Sequence, residues 1–79
     1  MIENHDLFHE FPQHHDVIRR LMLSNDAFGR IVKDYDEVDH KIARIEQRVD
    51  AASDIYVEEL KYLRVRLKDR IYQMLTKPA

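Results

Sequence analysis

The sequence predicts an all-α protein: an antiparallel, coiled-coil-like helical hairpin preceded by a short N-terminal helix. The composition is one basis, since one Gly, two Pro, 35% charged and 44% hydrophobic residues are typical of long helices. The second is an unbroken alternation of apolar residues at spacings of three and four, the period of a helix that packs along a narrow stripe. That stripe contains Phe28, Ile31, Tyr35, Val38, Ile42, Ile45, Val49 and Ala52.

Length and charge narrow the class of protein further. A chain of 79 residues forms one small domain, in which a single core only marginally offsets chain entropy. The absence of Cys excludes disulfides, thiolate zinc sites and thiol nucleophiles. A formal net charge of -2 gives no general attraction to nucleic acid or anionic lipid. With no secretory signal and no apolar run of membrane-spanning length, we expect a cytoplasmic protein without membrane contact.

The N-terminal part predicts a flexible lead followed by a short helix. We expect residues 1–11 to form the lead, because Pro12 limits any helix that runs through it. Pro12 suits the first turn of a new helix. A short helix over about residues 12–23 follows from the helical spacing of Val17, Ile18, Leu21 and Met22.

Two polar interruptions delimit the long helices. Residues 24–26 offer capping side chains, so a second helix is expected over about residues 26–50. Ser53 or Asp54 can cap a third helix over about residues 54–75, completing a single domain over residues 12–77. The apolar seam changes phase beyond Tyr56, which favours a turn. Because no Gly or Pro forces that turn, one continuous helix in a parallel coiled coil is the alternative.

An antiparallel register closes five apolar layers between the two long helices. Exposed ion pairs such as Asp39 with Arg64 or Arg48 with Glu59 contribute about 0–1 kcal/mol each, so the apolar layers decide the register. The predicted layers are Val49 with Tyr56, Ile45 with Leu60, Ile42 with Leu63, Val38 with Leu67, and Ile31 with Met74. Phe28, Tyr35 and Ile71 complete the predicted hairpin seam.

Several segments together carry a resemblance to a known family. They are Phe11-Pro12, Asp16-Val17-Ile18-Arg19-Arg20-Leu21, Val38-Asp39-His40-Lys41-Ile42-Ala43-Arg44 and Leu67-Lys68-Asp69-Arg70-Ile71-Tyr72. In these segments the chain resembles the YdcH-like small bacterial proteins, helical hairpins classed as a domain of unknown function. Two departures are Arg70, where that family's ending usually carries an acid, and a connector without the family's glycine. The resemblance implies a helical hairpin in a bacterial cytoplasm and brings no catalytic residues.

The side chains that could carry chemistry are few. His5 and His9, with Asp6 and Glu10 beside them, could offer two imidazoles on one helical face. A structural zinc site needs four ligands fixed by the fold, so we expect no metal site. His40 is expected at the surface. Without a phosphate-binding Gly loop, a zincin motif or a nucleophile elbow, we expect no catalytic residue, no cofactor and no small-molecule substrate, and therefore no enzyme.

The basic end of the third helix is a candidate nucleic-acid surface. The acidic stretch at residues 34–39 lies beside it in the hairpin and offsets much of its charge. A nucleic-acid-associated accessory protein would need that basic face uncovered and aromatic side chains available for stacking. The basic residues are Lys61, Arg64, Arg66, Lys68, Arg70 and Lys77. This is the alternative function.

A second apolar stripe lies on the back of the third helix. We call it the outer face, and it consists of Ile55, Tyr62, Val65 and Tyr72. Either the short helix covers it through Val17, Ile18, Leu21 and Met22, or it docks a second copy of the chain or a different helical protein. The sequence therefore predicts a small helical interaction module that self-associates or binds a helical protein partner.

Overall fold

The computed structural model describes residues 5–77, with side chains from Leu7 onward except that of Phe8. A 3₁₀ turn lies between the first two of four helices. In order they are α1 (His5–Glu10), the 3₁₀ turn (Pro12–His14), α2 (His15–Ser24), α3 (Asp26–Glu46) and α4 (Asp54–Thr76). Every regular element in this range is helical, which confirms the all-α prediction. No helix within it is long and apolar enough to cross a membrane.

Polar caps begin both long helices. The Asn25 Oδ1 atom accepts a hydrogen bond from the Phe28 N–H at 3.0 Å, ahead of α3. The Ser53 Oγ atom accepts one from the Tyr56 N–H at 3.2 Å, ahead of α4. Each side chain pairs an N–H group that the first helical turn leaves without a backbone partner. These caps explain why the helices begin at Asp26 and Asp54.

α3 ends at Glu46, four residues before the expected boundary at residue 50. Arg48 has a φ of 62°, and its N–H donates to the Ile45 carbonyl at 3.0 Å. The Val49 N–H donates to the Arg44 carbonyl at 2.9 Å, which completes a Schellman motif. The continuous-helix alternative therefore does not describe this structure.

The two long helices pack side by side in opposite directions. Arg64 Nη1 on α4 lies 2.8 Å from Asp39 Oδ1 on α3, and Lys61 Nζ lies 3.9 Å from Glu46 Oε2. Near the connector, the buried residues are Val38, Ile42 and Leu60, with Ile45 and Leu67 packed beside them. A larger cluster at the opposite end contains Leu7, Phe11, Ile18, Phe28, Val32, Tyr35, Ile71 and Leu75.

Three predicted seam residues lie outside the packed interface. Val49, Tyr56 and Leu63 are exposed, whereas Val32 and Leu75, which the heptad omits, are buried. Val49 lies beyond the end of α3, and Tyr56 lies in the first turn of α4, where α3 has already ended.

Leu63 is exposed for a different reason. The inward row of α4 passes from Leu60 through the half-buried Arg64 to Leu67, so Leu63 is rotated away from α3. Arg64 can lie on this row because its stem is apolar and its guanidinium bonds Asp39. The layer predicted for Ile42 and Leu63 is therefore replaced by a charged pair beside the seam.

The N-terminal segment also differs from the expected flexible lead. Residues 5–10 form α1, Leu7 is fully buried and Phe11 nearly so. The two side chains lie four residues apart and so share one face, and the Phe11 N–H donates to the Leu7 carbonyl at 3.0 Å before Pro12 ends the helix. Residues 1–4 of the predicted lead lie outside the described residues.

Candidate functional site

The outer face of α4 is open to solvent. Ile55 is 74% exposed, Tyr62 64%, Val65 56% and Tyr72 51%. The opposite side of the same helix is buried against α3 through Leu60, Ile71 and Leu75. α4 is thus apolar on two sides but buried on one.

The short helix α2 packs elsewhere. Ile18 is fully buried in the cluster with Ile71 and Leu75, and Val17 and Leu21 pack against the same cluster, whereas Met22 is exposed. The account in which these residues cover the outer face is therefore wrong for this structure.

Tyr72 has a neighbour from the segment before α2. The Phe11 ring stacks on it with centroids 5.9 Å apart, and the His14 ring meets it edge-on at 6.3 Å. These contacts leave half of Tyr72 exposed. Ile55, Tyr62 and Val65 form the more open part of the outer face.

Acidic side chains lie between the apolar residues of the outer face. Helical spacing places Glu58 between Ile55 and Tyr62, and Asp69 between Val65 and Tyr72, and both acids are exposed. A shallow depression at the start of α4 is lined by Asp54, Ile55, Glu58, Glu59 and Tyr62. An apolar floor rimmed by carboxylates suits a long basic side chain from another molecule.

One cation already lies on the face. Arg66 Nη1 donates to the Tyr62 hydroxyl at 3.1 Å, and the guanidinium carbon lies 5.7 Å from the centre of the Tyr62 ring. This cation–π contact holds the Tyr62 side chain along α4. Tyr62 therefore has a partner on its own helix while 64% of its surface stays exposed.

Most other basic residues of α4 are neutralised within the chain. Lys61, Arg64 and Lys68 lie 3.9, 2.8 and 2.6 Å from carboxylate oxygens of Glu46, Asp39 and Glu10. The basic stripe is consequently interrupted by acids from α1 and α3. This arrangement reduces the positive field available to a nucleic acid.

The His, Asp and Glu side chains outside the outer face are the remaining candidates for chemistry. Among the side chains described, no three His, Asp or Glu residues gather as metal ligands, while the side chains of His5 and Asp6 lie outside the described part. His40 is exposed. The hydrogen bond from Arg44 lowers the pKa of Asp50, but this pair lies in the exposed connector and closes the turn after α3.

Comparison with known proteins places the α3–α4 part in a family. The profile of DUF465, described as a protein of unknown function, matches residues 28–75, which include the whole outer face. The chain belongs to the DUF465 family. It is similar to the uncharacterized protein YdcH of Escherichia coli (strain K12) and to that of Shigella flexneri. Each is 31% identical over 65 residues, covering 82% of this chain and 88% of the relative.

These relatives confirm the resemblance to YdcH-like proteins. No solved structure matches the chain. Because the DUF465 description carries no activity, a functional assignment has to come from the geometry of α4 and its surroundings.

Proposed function

We propose that this DUF465 protein is a non-catalytic helical interaction module that binds an amphipathic helix of another protein through the outer face of α4. The observation that carries the proposal is the exposure of Ile55, Tyr62 and Val65 on one side of a helix whose other side is buried. An exposed apolar row along one helix, with charged side chains beside it, is typical of a helix-docking surface.

The acids on the face select the chemistry of the partner. A Lys or Arg of the partner can lay its aliphatic stem between Ile55 and Tyr62 and place its charge near Glu58. Complementary charge of this kind sets register and suppresses wrong partners. The partner is therefore an amphipathic helix with basic residues among its apolar contact positions.

A second copy of the chain fits this surface less well. An antiparallel contact that pairs Ile55 with Tyr72, and Tyr62 with Val65, between two copies also sets Glu58 opposite Asp69. Like charges facing each other within an interface are unfavourable. Charge complementarity thus favours a different helical protein over self-association.

Designed helical peptides test the surface directly. One carries leucine at the contact positions and lysine at the two positions that face Glu58 and Asp69; the other carries glutamate there. We expect the lysine peptide to bind at least about tenfold more tightly, since opposed carboxylates penalise the glutamate peptide. Fluorescence anisotropy of labelled peptides measures the difference.

A matched pair of variants locates the binding. Tyr62→Glu should abolish lysine-peptide binding, whereas Leu23→Glu, which removes a 90% exposed apolar side chain on α2, should leave it unchanged. Circular dichroism checks that both variants keep their helix content. Equal binding by Tyr62→Glu and the unmodified chain would place the contact elsewhere.

Sedimentation equilibrium distinguishes self-association of the chain from binding of a different helical protein. We expect a monomer at high micromolar concentration. A dimer that dissociates in Tyr62→Glu would identify a second copy as the occupant and contradict the proposed partner.

Nucleic-acid association has less support, because three basic residues of α4 are paired within the chain. The dependence of affinity on salt concentration distinguishes nucleic-acid binding from docking of a helical protein. Phosphate binding weakens steeply with ionic strength, whereas binding dominated by an apolar helix face changes far less.

A further inference from the structure

A cleft separates α2 from the C-terminal half of α4. Its volume is about 630 Å³, within the size range of small-molecule sites. The apolar part of its lining comes from Val17 and Leu21 on α2 and from Met74 and Leu75 on α4. The cleft shares no residue with the outer face, so the two surfaces are independent.

The charged part of the lining is entirely basic. Arg20, Arg70 and Lys77 line the cleft, and no acidic residue does. Among the described side chains, Arg20, Arg70 and Lys77 make no ion pair, whereas Lys61, Arg64 and Lys68 of α4 each lie beside a carboxylate. Cations gathered along one cleft attract a counter-charge from solution.

Neutral polar groups add hydrogen-bond donors. Asn25 and Gln73, which both carry side-chain amides, are among the residues that line the cleft. The Asn25 Oδ1 atom accepts a hydrogen bond from the Phe28 N–H, and its amide NH₂ group makes no hydrogen bond with another described residue. A lining that combines cations and neutral polar groups with aliphatic side chains matches a ligand that is anionic at one end and apolar along its length.

We propose that the cleft binds one anionic amphiphile, a carboxylate with a long alkyl chain. The Arg20 and Arg70 guanidiniums hold the carboxylate, since arginine pairs with carboxylates in a two-bond geometry. The alkyl chain lies on Val17, Leu21 and Met74, and the flexible thioether of Met74 adapts to its shape. The DUF465 description names no ligand site, and the cleft is separate from the outer face on which the proposed function rests.

Calorimetric titration with laurate, below its critical micelle concentration, tests the proposal on the full chain. We expect saturable binding of one laurate per chain. Acetate carries the head group without the chain, and dodecyltrimethylammonium carries the chain with a cationic head. Both should bind at least about tenfold more weakly, because each lacks one half of the recognition.

Paired variants assign the head group. Arg20→Gln combined with Arg70→Gln should weaken laurate binding by at least about tenfold. Arg30→Gln combined with Lys33→Gln removes the same net charge from exposed positions on α3 and should leave binding unchanged. Circular dichroism confirms that both double variants remain helical.

Any of the following results contradicts the proposal that the cleft binds one anionic amphiphile. Absence of saturable laurate binding, or equal binding by the Arg20/Arg70 double variant, removes the cleft as the site. Equal affinity for dodecyltrimethylammonium shows adsorption driven by the alkyl chain alone. Binding to phosphatidylglycerol vesicles without binding of free laurate shows a membrane surface as the source of the anion and not a single amphiphile in the cleft.

Discussion

Arg48 occupies a backbone conformation that usually belongs to glycine. Its φ of 62° brings a Cβ atom close to the following carbonyl, which costs roughly 1–2 kcal/mol for a residue other than glycine. The turn forms nonetheless, because two backbone hydrogen bonds close the Schellman motif and Arg44 holds Asp50 at 2.9 Å. The connector therefore reaches a left-handed conformation through local bonding and without a glycine.

Replacement of Arg48 by glycine should stabilise the protein. Arg48→Gly removes the Cβ conflict, so we expect the free energy of unfolding to rise by about 1 kcal/mol. For a domain of this size, such a gain raises Tm by roughly 4–8 °C. Thermal unfolding followed by circular dichroism measures it.

Arg48→Ala is the matched control. It removes the same charge and side chain but keeps the Cβ atom, so it should give no gain of comparable size. If alanine stabilised the protein as much as glycine, the benefit would come from loss of the arginine side chain and not from relief of the backbone.

Capping residues are visible in a sequence, but a left-handed arginine is not. Asn25 and Ser53 accept hydrogen bonds at helix starts because their side chains are short and polar, a preference that can be recognised in advance. Arg48 gives no such signal, since nothing in its chemistry favours a positive φ. The end of α3 was for this reason unpredictable, while its beginning was not.

A prediction from apolar spacing alone also fails where an arginine that bonds a carboxylate occupies an inward position of a helix. Apolar spacing favours Leu63 over Arg64 at the same level of α4. The structure has the reverse, because the Asp39 carboxylate accepts a hydrogen bond from Arg64. Such a replacement depends on the facing helix and cannot be read from α4 alone.

Among the helical elements, α1 depends most on its neighbours. A helix of six residues has too few internal hydrogen bonds to persist alone, so its docking has to stabilise it. The described side chains of α1 contribute the burial of Leu7 in the main cluster and the exposed ion pair between Lys68 and Glu10. The sequence does not predict this docking, because the surface that receives Leu7 is assembled from residues distant in the chain.

Burial of Leu7 should dominate the docking of α1. Leu7→Ala removes a fully buried side chain and should lower the free energy of unfolding by about 2–5 kcal/mol. Glu10→Gln breaks an exposed pair and should cost about 0–1 kcal/mol. Urea unfolding measures both. If the two variants cost the same, α1 would contribute little in solution, as the predicted flexible lead implies.

At the scale of the whole molecule, the outer face and the cleft differ in how far a sequence can predict them. The outer face lies on one helix, so its apolar period is present in consecutive residues. The cleft combines α2 with residues 70–77 at the C-terminal end of α4, and the whole of α3 and the connector lie between these segments in the sequence. Only the packing of α2 brings these cations together, and no local pattern signals it.

The two ends of the molecule are unequally packed. The molecule measures 41 × 23 × 21 Å, and α1 and α2 pack against one end of its long axis. That end buries residues from all four helices, whereas the connector end buries only Val38, Ile42 and Leu60 among the described residues, with Ile45 and Leu67 partly buried beside them. Local opening should therefore begin at the connector.

Native-state hydrogen exchange followed by NMR should show this gradient. Amides in residues 31–35 and 68–75 should be more protected than those in residues 42–46 and 58–61, because fewer apolar side chains must separate to open the connector end. Leu7→Ala should reduce amide protection at the well-packed end and so narrow the difference in protection between the two ends. Glu10→Gln should leave that difference unchanged. Equal protection at both ends of the unmodified chain would mean that the helices open only as one cooperative unit, and that three buried residues suffice to hold the connector end closed.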